Sequence, residues 1–108
     1  MAVPSGAVFV AADEPLLVFA SASAAQEYLE AIDVVDGVYP AAFGPKGEAY
    51  SITAQDGLVF VERSDGPERP DDLRRLLMSY LDAVGCLPPP SISINDLVET
   101  AWVRTHSS

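Results

Sequence analysis

The sequence predicts an α+β domain: a mostly antiparallel sheet of about five strands with helices packed on one face, in the order ββ-α-βββ-αα. Three observations predict it. Short apolar runs bounded by turn residues recur as far as residue 63, Asp56-Gly57 sits between two such runs, and residues 73–84 carry an unbroken helical stripe. At 108 residues, 49% of them hydrophobic and 20% charged, the chain suits one core. It is read as a single domain over 1–108, with loose ends at about 1–6 and 105–108.

Residues 7–11 and 16–20 are apolar runs around Asp13, Glu14 and Pro15, the pattern of a hairpin. Ser21 or Ser23 then caps a helix reaching about Ile32, with Tyr28, Leu29 and Ile32 turned inward. Asp36-Gly37 ends it. Residues 38–43 alternate like a strand, which Pro40 demotes to an edge or a bulge, and Gly44-Pro45-Lys46-Gly47 is a turn. Two further strands, 49–54 and 58–63, meet at the Asp-Gly pair and complete a meander.

Asp71 and Asp72 favour the start of the next helix through its dipole. Leu73, Leu76, Leu77, Tyr80, Leu81 and Val84 form its stripe, and Gly85 ends it. Burying one such side chain contributes about 1.5–3 kcal/mol, whereas ordering each backbone residue costs about 1–2 kcal/mol, so the stripe must dock on the sheet. After the stiff Leu87-Pro88-Pro89-Pro90 segment, Ser93 caps a last helix with Ile94, Leu97, Val98 and Ala101 on its apolar side.

Sixteen acidic residues against six Lys and Arg give a net charge of -10. Such a surface excludes nucleic acid and anionic membranes as natural partners, because phosphate binding needs clustered cations and the one basic pair is Arg74-Arg75 within a helix. It suits a basic protein, since complementary fields raise association rates roughly 10- to 1000-fold at low salt. Simple solubility is the competing explanation of the charge. A single cysteine, Cys86, allows no internal disulfide, the N-terminal stretch lacks a signal-peptide pattern and no run reaches membrane-span length, so a cytoplasmic location is expected.

No catalytic constellation is visible. His106 stands near the chain end with no scaffold to hold it, and Cys86 follows a helix C-terminus, where the dipole disfavours a thiolate. Glu27, Glu30, Asp33 and Asp36 recur every three residues; the spacing of a calcium loop is absent, so they read as a solvated face, with no metal and no cofactor expected. Tyr39, Phe43, Tyr50 and Trp102 are aromatic anchors or core residues.

The stretch Glu27-Tyr28-Leu29-Glu30-Ala31-Ile32-Asp33-Val34-Val35-Asp36-Gly37-Val38-Tyr39, followed by Ala42-Phe43, Gly47 and the Leu76-Leu77 to Tyr80-Leu81 pattern, resembles small bacterial immunity proteins of polymorphic toxin systems over about residues 20–100. The resemblance implies a protein that binds one cognate toxin or effector and blocks its active site or substrate surface, with no turnover. The expected contact residues are Glu27, Glu30, Asp33, Asp36 and Tyr39, then Asp13 and Glu14, with Trp102 as a further anchor, on a monomer or homodimer. An acidic secretion chaperone or adaptor binding an effector is the alternative, and an enzyme or small-ligand domain a third class that thermal-shift screening with metals or nucleotides separates.

Overall fold

The computed structural model describes residues 3–12 and 16–106. The chain is α+β, with a five-stranded, wholly antiparallel sheet in the order β2-β1-β3-β4-β5. β1 (Val8–Val10) pairs with β2 (Leu17–Phe19) as the expected hairpin, and β3 (Ala42–Phe43), β4 (Ala49–Gln55) and β5 (Leu58–Arg63) form the expected meander. Between β2 and β3 lie α1 (Ala22–Tyr28) and α2 (Ala31–Val35); α3 (Pro70–Ala83) and α4 (Ile94–His106) follow the sheet.

The helices, expected on one face, occupy both. Alternation along β1 shows why: all three of its residues are buried, with Ala7 and Phe9 beneath α3 and α4 and Val8 and Val10 beneath α1 and α2. The α3/α4 core joins Phe9, Phe43, Leu73, Leu77, Leu81, Leu97 and Trp102, so the stripe docks as predicted, with Leu76 and Val84 packed at its margin. On the other face α1 lies over β5 and α2 over β4, enclosing Ala25, Leu29, Val59 and Val61.

Turn chemistry places these layers. Asp56 and Gly57 both have positive φ, 53° and 78°, the geometry of a two-residue hairpin whose twist matches its strands. Gly47, at φ +90°, lets the β3–β4 turn touch the start of α3: a Cβ there would lie 2.5 Å from the Pro70 nitrogen, and its carbonyl accepts the Arg69 N–H at 2.7 Å. Gly85 closes α3 with a paired cap, its own N–H bonding Asp82 O and the Cys86 N–H bonding Leu81 O. Ser21 Oγ and Ser93 Oγ cap α1 and α4 by accepting the Ala24 and Asp96 N–H groups. Arg74 donates to Ile92 O at 2.7 Å, fastening the proline segment to α3, and the Gln26 side chain accepts the Val61 N–H at 2.8 Å, fastening α1 to β5.

Four further expectations are corrected. The first helix does not run to Ile32: Leu29 and Glu30 take extended backbone and split it in two. Residues 38–43 yield a strand of only two residues, because Pro40 has no N–H to contribute. The tail is not frayed through 105–106, since Thr105 Oγ1 bonds Ala101 O at 2.9 Å and the His106 ring stacks on Trp102 at 3.8 Å. At the other end, Val3 packs against the α3/α4 core.

Candidate functional site

The helical break that the sequence concealed builds the site. Leu29 is buried and draws the chain inward, and its extended conformation turns the path between α1 and α2. Glu30 caps α2 with its backbone carbonyl only, so its carboxylate is left to face the hollow beside it. α2 then closes on a second paired cap: Gly37, at φ +76°, bonds Val34 O, and the Val38 N–H bonds Asp33 O. That cap folds Val38 and Tyr39 back across α2.

The result is a hollow of about 400 Å³ lined by Ala12, Leu17, Tyr28, Glu30, Asp33, Val38 and Tyr39. Tyr39 donates its hydroxyl hydrogen to Asp33 Oδ2 at a long 3.4 Å. Burial, followed by the repulsion and hydrogen bond of Asp33, pushes the Tyr39 hydroxyl above its ordinary value of 10.0, so it remains a donor. The Tyr28 ring packs on Phe19 at a centroid distance of 5.4 Å. On the other flank of α2, Ala31, Ile32 and Val35 border a shallower hollow of about 250 Å³ against the β4–β5 turn. The spacing explains the division: Glu30 and Asp33 are i,i+3 on one side of the helix, Ile32 and Val35 are i,i+3 on the other.

Of the expected contact residues, Glu30, Asp33 and Tyr39 come together in this hollow. Glu27 is exposed on α1 and Asp36 is exposed at the cap of α2, beside the hollow but not lining it. Asp13 and Glu14 lie outside the described residues, directly after Ala12. Trp102 is corrected: it is 5% exposed and belongs to the α3/α4 core. Tyr28 and Ile32, expected inward, are 63% and 66% exposed, and Val35 is 76% exposed. The break at Leu29-Glu30, which no Gly or Pro announces, resets the helical phase for Ile32 and Val35, whereas Tyr28 ends α1 ahead of it with its ring on Phe19. One signal for this region was present in the sequence: all six Lys and Arg lie from Lys46 onward, while Asp13, Glu14, Glu27, Glu30, Asp33 and Asp36 precede it.

The lining offers carboxylates, phenols and aliphatic groups, which together accept hydrogen bonds, attract cations and cover apolar surface. Among the described residues no three His, Cys, Asp or Glu side chains converge as metal ligands, and no helix is long and apolar enough to cross a membrane. Comparison with known proteins adds nothing to this geometry: no protein family model, no curated protein and no solved structure matches the chain.

Proposed function

We propose that the protein is a non-catalytic binder of a basic protein, acting as an immunity protein that neutralises a bacterial toxin inside the cell that makes it. The observation that carries this reading is the coincidence, on α2, of exposed apolar residues with exclusively acidic charge. Ile32 and Val35 stand in solvent on one flank of α2, with Glu30 and Asp33 on the other and Asp36 at its end, in a stretch of chain with no Lys or Arg before Lys46. Exposed apolar groups set among charges of one sign are the pattern of a protein-binding surface, with the apolar centre supplying affinity and the field supplying speed and choice of partner. Binding there covers the toxin's active site or substrate surface stoichiometrically and uses no cofactor.

The test is growth. The product of the neighbouring gene is expressed alone and then together with this protein. The reading expects the neighbour to arrest growth and co-expression to restore it, with restoration lost in the Asp33→Lys, Asp36→Lys double variant while its circular dichroism and melting stay unchanged. A harmless neighbour, or a folded double variant that still protects, overturns it.

A further inference from the structure

We infer that the hollow between α1 and α2 receives one arginine side chain of the protein partner, and that the Ile32–Val35 hollow takes an apolar side chain of the same segment. This deepens the binding reading and rests on it for the partner being a protein.

Size and lining both select the occupant. About 400 Å³ admits a long side chain with some water, whereas a helix is about 10–12 Å across and does not enter. Leu17 and Val38 suit an aliphatic stem, Tyr28 and Tyr39 suit a cation beside aromatic rings, and Glu30 and Asp33 supply its counter-charge. An anion meets no positive group among the lining residues. A purely apolar side chain strips water from two carboxylates without replacing it. Among the described residues Glu30 makes no side-chain capping bond and Asp33 accepts only the long bond from Tyr39, which leaves both with acceptor capacity there. A guanidinium matches that capacity better than an ammonium, because its planar fork meets several acceptors at once, stacks on rings and is weakly hydrated.

The charge of the whole chain points the same way. Arg69, Arg74 and Arg75 lie at or beside α3, on the opposite face of the sheet, and Arg69 and Arg75 pair there with Asp72 at 3.3 Å, so they do not compete for the hollow. The two rings already have neighbours: Tyr28 leans on Phe19 and Tyr39 is bonded to Asp33, which reduces the side-chain freedom these two lose on binding. The two hollows flank a single helix roughly 10 Å wide, which an extended segment crosses in about three residues.

The probe is an acetylated, amidated Gly-Arg-Gly tripeptide titrated into the full isotope-labelled chain, with lysine and citrulline versions alongside. Saturable amide shifts confined to residues near 12, 17 and 28–39 are expected with arginine, with binding about tenfold weaker for lysine and none for citrulline. Asp33→Asn and Tyr28→Leu each weaken the arginine peptide by about tenfold, with the dispersion of the same spectrum reporting that each variant is folded. No saturable shift, an equal response to citrulline or an equal response to lysine overturns the inference. Because no toxin enters this experiment, its outcome is separate from the growth test: arginine binding without protection sinks immunity alone, and protection with a silent titration sinks the arginine receptor alone.

Discussion

The two faces of the sheet are built differently. Beneath α3 and α4, helices of 14 and 13 residues cover Phe9, Leu73, Leu77, Leu81 and Leu97, each fully buried. Beneath α1 and α2, helices of 7 and 5 residues cover a layer of smaller side chains, Val8, Val10, Ala25 and Ala42, while Ile32 and Val35 stand outside. Helices that short have little stability of their own and persist only because the sheet holds them. Long helices bury their apolar residues for stability; here the short pair leaves part of its apolar surface exposed.

The comparison breaks most readily at Leu77. Leu77→Ala empties a fully buried position and is expected to cost about 2–5 kcal/mol in chemical unfolding; a neutral result removes the stabilising role from the α3/α4 face. Replacing Ile32 and Val35 together by Ser should change unfolding free energy by no more than about 0.5 kcal/mol per site while abolishing growth protection. A large loss of stability places both residues in the core instead.

The smallest effect sharpens the picture within the hollow. The raised folded value of the Tyr39 hydroxyl means that the stability linked to it is complete below pH 10.0 and is lost as pH rises through the folded value. In ultraviolet titration Tyr39 should ionise later than a free phenol. Asp33→Asn should bring it part of the way back, since burial, the first cause, remains after the carboxylate is gone. An unmoved titration in that variant removes Asp33 as a cause.

The legible parts of the fold were those with local causes. The α3 stripe, the Asp56-Gly57 turn, the Ser93 cap and Gly85 each state their geometry within a few residues, and all four are found in place. The division of helices between faces was not local. It depends on β1 being apolar at every position, which reads equally as a short run under a single layer until its neighbours are known. Around the hollow, Glu30 and Asp33 were singled out by their acidic spacing and Tyr39 as an aromatic, whereas the outward turn of Ile32 was hidden because extended Leu29 and Glu30 carry no breaker residue. Trp102 was misplaced because tryptophan suits both interface and core, and only packing decides between them.

The hydrogen bond between Gln26 and Val61 also bears on how copies of the chain coexist at high concentration. Because Gln55 and Leu58 flank a two-residue turn, the backbone groups of Val59, Val61 and Arg63 point away from β4, toward the open edge of the sheet. Gln26 occupies the middle donor of that row, so a strand from another molecule must evict a side chain before it can register there. The same contact that seats α1 thus also obstructs sheet-to-sheet polymerisation at this edge, with a single side-chain amide serving both ends.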